Sequence, residues 1–467
     1  MSGLAPTDGW DTVFGIRLSE VNAALTNSAA YPKAFQVDDP TDGIMAQGVF
    51  GSWQIAPGGS NQLVNFVIPV PQASVTLPDK TEEHLQDVTV PILLRMEFIP
   101  SNQSFPSGTG HDLVIWNGKE SKDPAVQVGQ ISYGGHEQPS FVAQAAFLEL
   151  IGAWLNANIS DFSHVFATVN LNRKADKEYQ WMQPTSTAYA YSDVGYQAEG
   201  VLAILNMTEG RSSSGLQRQI SSSILEKEQQ AAFLISSARL IEKFILPTLP
   251  KVFPGSKVDD FEISKDGLSI HNKSSVPYKV KDKKNNTSHD VTLETLQVTM
   301  DGTFLRFEAV TCAPIIPGIK AMCHTINALS IKLAQKADGK PGEQTFTFED
   351  AEPPLTNHWL DKDPAIAVTE EILTIVAIIV TLIIIFVTDG AAILIVAGII
   401  GVVLGTMMIT EGVVGLVDKD NGPAIGKAVL NATAPICWKD ADDFKVTKGS
   451  LNGSLQLIGI SNVSVSD

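Results

Sequence analysis

"DVTVPILLRMEFIP", residues 87–100, carries an apolar side chain at every even position, Val88, Val90, Ile92, Leu94, Met96 and Phe98, while Thr89, Pro91, Arg95 and Glu97 stand among the odd ones. A period of two sustained over that length is a long half-buried strand, and Pro91, which has no N–H to donate, points to an edge or a bulge. Upstream, "GVFGSWQIA" and "NQLVNFVIPVPQASVTL" flank the turn sequence "PGGS" and read as a hairpin of similarly long strands. The sheet is expected to be antiparallel and strongly twisted.

Away from this ribbon the period changes. Trp10, Val13, Phe14, Arg17 and Val21 fall three and four apart, which predicts a helix with Thr7 or Asp8 as its cap. Phe141, Ala145, Leu148, Ile151 and Leu155 predict a second helix, and "SHVFATVNLN" then alternates as a strand. Leu225, Phe233, Ser237, Leu240, Phe244 and Leu246 sit near one stripe, so residues 216–247 read as one very long helix closed by Pro247. From Val258 to Phe348 the chain is strand-rich again, with "DG" and "DGKPGE" as turns.

Two uncharged runs follow, "ILTIVAIIVTLIIIFV" (372–387) and "AAILIVAGIIGVVLGTMMI" (391–409), with Asp389 and Gly390 between them. Read as helices, they are about 24 and 28 Å long, marginal against a hydrocarbon core of about 30 Å. Ala397, Gly401 and Gly405 repeat every four residues and would let the two helices pack closely. The close flanks are acidic, Glu370, Glu371, Glu411, Asp418 and Asp420, and only Lys419 opposes them. A permanent anchor normally carries basic flanks, so a hairpin stored against the protein is expected, with insertion at low pH, when Asp389 is neutral, as the sharper alternative. The division that results is a first lobe over 1–255, a second strand-rich lobe over 256–360, the hairpin over 361–417 and a C-terminal segment over 418–467.

The totals narrow the function classes. With 467 residues, core size is not limiting, and 51 acidic residues against 33 lysines and arginines give a net charge of −18, which disfavours a nucleic-acid partner. Cys312, Cys323 and Cys437 are too few and too scattered for a disulfide framework or a zinc site. The first residues show no basic stretch leading into an apolar run, so no secretory signal is read and synthesis in the cytoplasm is expected. HExxH, GxxxxGK[ST] and GxSxG are all absent, and "GRSSSG" misses the last by one position. His136 beside Glu137, His111 near Asp112 and the isolated His324 are better explained as structural residues. No catalytic residue, metal site or cofactor is expected. "KVKDKKNN" gathers Lys279, Lys281, Lys283 and Lys284, a solvated turn that is also suited to an anionic lipid headgroup.

Taken in order, "GWDTVFGIRLSEVNAAL", "VPILLRMEFIP", "WMQPTSTAYAYSDVGYQAEGVLAILNMT" and "LIEKFILPTLPKVF" resemble the forty-seven-kilodalton accessory protein family of OrfX-type botulinum neurotoxin gene clusters, over most of residues 8–350. The resemblance implies an α+β, TULIP-like (tubular lipid-binding) fold, with long twisted antiparallel strands wrapped around a long helix and an apolar groove between them. It implies no catalytic residues, a lipid or fatty acid as ligand, toxin or sister accessory proteins as partners, and release with a toxin complex. The groove lining is then expected at Val88, Val90, Ile92, Leu94, Met96 and Phe98. A lipid-binding accessory protein is the first reading. A membrane-inserting or pore-forming component acting through Asp389, Gly390, Gly401 and Gly405 of the 372–409 hairpin is the alternative, and an enzyme ranks last.

Overall fold

The computed structural model describes residues 3–119, 123–134, 138–174, 177–193, 200–281, 288–335, 344–366, 380–383, 394–403, 406–416, 429, 431–441 and 444–461. It is an α+β chain of mostly antiparallel sheet, divided into two units. Unit 1 comprises Met1–Phe233, Leu430–Lys445 and Ile458–Asp467, and unit 2 comprises Leu234–Val429 and Val446–Leu457. The segments after residue 429 thus return to both units, where a separate C-terminal segment was expected.

Unit 1 opens with β1 (Thr12–Arg17) and α1 (Leu18–Ser28). Then come β2 (Ala34–Asp39), β3 (Ile44–Val49), β4 (Gln54–Ser60), β5 (Leu63–Thr76), β6 (Glu82–Pro100), β7 (Thr109–Ile115) and β8 (Val126–Val128). The helix α2 (Phe141–Asn158) precedes β9 (Ala167–Leu171), β10 (Pro184–Ser192), β11 (Val201–Thr208) and β12 (Ala231–Ser236). One sheet runs β2-β3-β5-β6-β7-β9 and ends on the short strand Ile436–Trp438, with β4 on β5 and β8 on β6. A second places β1 between β11 and β12, with β10 outside β11.

The ribbon β5–β6 keeps one register from Leu63↔Arg95 to Thr76↔Glu82, yet the buried positions switch from even to odd on β5 along the way. On one side of Pro71 and Asp87 the interior holds Val64, Phe66, Ile68 and Val70 opposite Leu94, Ile92, Val90 and Val88. On the other side it holds Ala73 and Val75, with Leu85 opposite Ala73. Pro71 lacks a donor, and Asp87 is left-handed, with φ 49°. These two residues form a corner at which the pleat changes phase while the hydrogen-bond ladder stays in step. Gly134 closes on the corner, its N–H donating to the Asp87 carbonyl at 3.1 Å; a Cβ there would lie 2.7 Å from Asp87 Cβ.

Below the first half of the ribbon lies an aromatic core. Phe162 packs on Trp53 (5.3 Å between ring centroids) and Phe66 (6.0 Å), and Phe166 on His164 (4.7 Å). Beyond the corner, α2 presses Phe147 onto Phe35 (6.0 Å). Two tyrosines of β10 tie the second sheet to the first. Tyr189 donates to the Gln62 carbonyl (2.7 Å) and accepts from the Met96 N–H (2.7 Å), and the Tyr191 hydroxyl donates to the Ala56 carbonyl (2.8 Å).

Two predicted helices are strand in part: the first is β1 up to Arg17 and helical only from Leu18, and the second contains β12 before helical turns begin at Ser237. "TVFGIR" is buried at all six positions between β11 and β12, so alternation is lost and the apolar spacing imitates a helix. Its Arg17 is held by the carbonyls of Gln229 (2.8 Å) and Glu226. The 216–247 helix does not form. "AAFLIS" is β12, again buried throughout, and only then does Ser236 cap a short helix by accepting from the Arg239 N–H at 3.2 Å. The residues assigned to these faces, Trp10, Val13, Phe14, Phe233, Leu240 and Phe244, are nevertheless all buried. The helix that packs on the first sheet is α2, over β2, β3, β5 and β8, and it is turned from its predicted pose: Ala143, Ala146, Phe147, Leu150, Ile151 and Leu155 are inside, and Phe141, Ala145 and Leu148 are outside.

Unit 2 contains a seven-stranded antiparallel sheet: β13 (Phe261–Ile263), β14 (Ser269–Asn272), β15 (Val276–Lys281), β16 (Ser288–Asp301), β17 (Phe304–Ile316), β18 (Ile319–Gln335) and β19 (Gln344–Lys362). The predicted helical hairpin is corrected where it is described. Val380–Ile383, Leu394–Val403 and Thr406–Leu416 are strands β20, β21 and β22 of one antiparallel sheet, joined by pairs such as Val380↔Ile399 and Gly401↔Met408. Runs of Ile and Val favour strands over helices, and hydropathy alone does not distinguish the two. Asp389, Gly390 and Gly405 lie outside the described residues.

Asp87→Val places a β-branched residue at a left-handed position and is expected to cost about 1–2 kcal/mol, whereas Asp87→Gly is tolerated. Urea unfolding of both variants checks this, and equal stability would contradict the corner.

Candidate functional site

The residues expected to line an acyl groove are mostly interior. Val88, Val90, Ile92, Leu94 and Met96 are at most 5 % exposed, packed on the aromatic-core side of the ribbon, and Phe98 is half-buried. Of the lysine cluster, Lys279 pairs with Asp290 at 2.9 Å across β15 and β16, and Lys281 is the register partner of Ser288. Both partners of the Lys279 pair are well exposed, which makes it a weak interaction. Lys283 and Lys284 lie outside the described residues.

The recess in unit 1 lies past the corner. Register brings Gln36, Gln47, Ser74 and His84 into one row across β2, β3, β5 and β6, and Val49 and Gln72 into the next. These residues, with Ala34, Phe35, Ala73, Glu82 and Trp154, line a recess of about 660 Å³, within the size range of ligand sites. Trp154 comes from α2 and packs on Phe35 at 6.1 Å. Gly48 makes the recess possible. It is the register partner of Phe35, and a Cβ there would stand 2.7 Å from that ring and 2.8 Å from the Gln72 carbonyl oxygen. The walls are mixed: Val49 and Trp154 offer apolar surface, Phe35 and Ala73 lie almost buried beneath, and three glutamines, Ser74, His84 and the Glu82 carboxylate offer polar groups. Sequence reasoning missed the glutamines, because only strand register assembles them.

Beside the recess, α2 is apolar on both faces. Phe141 (85 % exposed), Val142 and Leu148 stand in solvent, and no Lys or Arg occurs in the helix. A helix that is hydrophobic all round is ordinarily covered on all sides. Asp39, Asp42 and Glu149 bring carboxylate oxygens within 4.8 Å of one another. They are exposed or half-exposed, and Asp39 Oδ1 already accepts from the Thr41 N–H at 2.8 Å.

A second, smaller cavity of about 250 Å³ adjoins His164. The His164 ring is buried, and its Nδ1 meets Ser28 Oγ at 2.7 Å. Burial holds its pKa down to about 4, with the Lys439 charge acting in the same direction and Asp440 opposing.

The fold and the recess define a sheet-dominated α+β protein with a ligand-sized opening beside its main helix. The chain belongs to the family described as OrfX-like: Protein OrfX2/OrfX3/P47, whose model matches residues 7–459. It is 28 % identical to a protein named Protein OrfX3 from Paraclostridium bifermentans, over 97 % of this chain and 98 % of that one. It is 27 % identical to Protein OrfX3 from Clostridium botulinum (strain Kyoto / Type A2), with the same coverage. Among solved structures, P47 from Clostridium botulinum A2 superposes with a TM-score of 0.60 at 17 % identity, over 97 % of this chain and 98 % of that one. P47 of Clostridium botulinum E1 gives 0.56 at 17 % identity, over 98 % and 100 %. At that identity the two structures speak to fold alone.

The depressed His164 pKa predicts acid sensitivity. Above pH 6.5 the ring is neutral in both folded and unfolded chains. As pH falls from 6.5 to about 4 the unfolded chain takes up the proton first, so stability carried by His164 is lost over that window. Denaturant unfolding at a series of pH values should show native protein losing more stability across it than His164→Gln; parallel curves would contradict this.

Proposed function

We propose that the chain is a non-catalytic accessory protein of a bacterial toxin cluster that binds a lipid in the recess beside α2. The observation that carries this reading is the open recess itself: about 660 Å³, with apolar surface at Val49 and Trp154 above the buried Phe35 ring, and with amides, His84 and the Glu82 carboxylate around them. An acyl chain gains roughly 0.8 kcal/mol per buried methylene, so apolar walls supply affinity without a charged anchor. The glutamines suit the polar end of such a molecule. In this reading Val88, Val90, Ile92, Leu94 and Met96 support the ribbon from inside, since lipid contact there would require the packed interior to open. The TULIP-like comparison is kept in modified form, with α2 packed on the sheet of β2, β3, β5 and β8.

Tryptophan at the exposed walls tests the reading. Ala34→Trp and Gln72→Trp fill the recess from solvent-facing positions, and each is expected to weaken uptake of a fluorescent fatty acid about tenfold, equivalent to about 1.4 kcal/mol, with little change in unfolding temperature. Unchanged uptake in both variants, or none in the native protein, would remove the recess as the lipid site.

The outer face of α2 favours a second reading, docking of a sister accessory protein on Phe141, Val142 and Leu148. Phe141→Ser with Leu148→Ser should abolish co-elution with such a partner and leave fatty-acid uptake intact. Loss of uptake in that double variant would assign the helix face to lipid.

A further inference from the structure

The polar wall of the recess has a chemistry of its own. Register sets Gln36, Gln47, Ser74 and His84 side by side on β2, β3, β5 and β6, with Gln72 in the next row on one side and Glu82 in the next row on the other. At about 4.8 Å between strands the row of four spans about 14 Å, and successive rows on one face lie about 7 Å apart. Alternation along the strands turns these side chains away from the buried Phe35, Ala46 and Leu85, and all of them except Ser74 are exposed. Trp154, half-buried, belongs to the same wall.

What this wall offers is set by its hydrogen-bonding groups. Among the described residues the side chains of Gln36, Gln72, Glu82 and His84 have no partner, and Gln47 Nε2 reaches only Ser74 Oγ, at 3.5 Å. A glutamine presents one carbonyl acceptor and two N–H donors, so the wall matches groups that donate and accept at once, as hydroxyls do. Among the described residues that line the recess none is Lys or Arg, and Glu82 is the one carboxylate. An acidic headgroup would therefore lack the cation that ordinarily pairs with it and would be repelled by Glu82. A cationic headgroup would find one exposed carboxylate in water, a weak partner, and would leave the amides unused. A neutral polyol uses both. The Trp154 ring adds a flat apolar platform with one N–H, suited to the C–H face of a pyranose.

We propose that the recess recognises an uncharged hexopyranoside, a proposal that rests on the lipid reading for its site and adds the chemistry of the headgroup. The hydroxyls engage Gln36, Gln47, Gln72 and Glu82, and the C–H face lies on Trp154. Each such hydrogen bond replaces one made to water and is individually weak, so recognition requires several amides acting together. The sugar is either the headgroup of a lipid or a free saccharide, and both present the same hydroxyls.

Calorimetric titration of the full chain at neutral pH tests this with the octyl and methyl β-glycosides of glucose and galactose, octanoate and octylphosphocholine, all below micelle formation. At least one octyl glycoside is expected to bind tenfold or more tightly than octanoate and octylphosphocholine, which carry chains of the same length. A methyl glycoside within tenfold of its octyl counterpart would identify a free saccharide as the source, and a wider gap would identify a lipid headgroup. Gln47→Leu and Gln72→Leu, at exposed strand positions, remove amides while adding apolar surface. Each should narrow the glycoside-to-octanoate ratio threefold or more, and an unchanged or wider ratio in both would overturn the proposal. Octanoate or octylphosphocholine bound as tightly as the better glycoside would overturn it and leave the lipid reading standing. Glycoside binding with no octanoate binding would uphold it and remove the acyl-chain reading, and no glycoside binding by native protein would overturn it outright.

Discussion

The architecture of unit 1 depends on one constraint: the β5–β6 ribbon must shift the phase of its pleat at Pro71 and Asp87 without breaking its ladder. A pleated strand presents alternate residues to alternate sides. The switch from Val64, Phe66, Ile68 and Val70 to Ala73 and Val75 therefore needs a phase change for both sets to face the one aromatic cluster that runs from Phe66 through Phe162, Trp53 and Phe50 to Phe35 and α2. Pro71 tolerates the missing hydrogen bond, and Asp87 tolerates the left-handed backbone. On one side of the corner Phe66 and Ile92 close over Phe162 and Phe166; on the other, Ala73 and Leu85 sit in the row that continues through Gly48 to Phe35.

The recess follows from that corner. Beyond it the sheet thins, because Gly48 and Ala73 are small where Val90 and Ile92 are large. The Phe35 ring spreads over Gly48 and meets Trp154 from α2, leaving apolar surface at the bottom of a polar rim. The same helix buries Phe147, Leu150 and Leu155 inward while Phe141 and Leu148 face water.

The sequence was most legible where burial is one-sided. Val88, Val90, Ile92, Leu94 and Met96 alternate with polar residues because one face of β6 lies on the core, and that pattern survives in the primary structure. It fails where burial is complete. "TVFGIR" and "AAFLIS" are enclosed on both faces, so neither alternates, and their apolar residues fell by chance on helical spacing; burial of Phe14 and Phe233 was readable, but the element was not. In the described parts of 372–409, hydropathy was readable and the helix-or-strand choice was not. The candidate sites were least legible. Gln36, Gln47 and Gln72 converge through register, and His164 meets Lys439 across 275 positions of chain. No local spacing marks either set. The OrfX-like membership was carried by short ordered stretches and holds over nearly the whole chain.

A photoactivatable fatty acid, irradiated with the purified full chain and mapped by mass spectrometry of the peptides, tests the central claim most directly. The account predicts adducts on the peptides that wall the recess, from β2, β3, the distal half of β5 and the Trp154 turn of α2. Adducts concentrated on residues 88–98, or spread over the chain without preference, would contradict it.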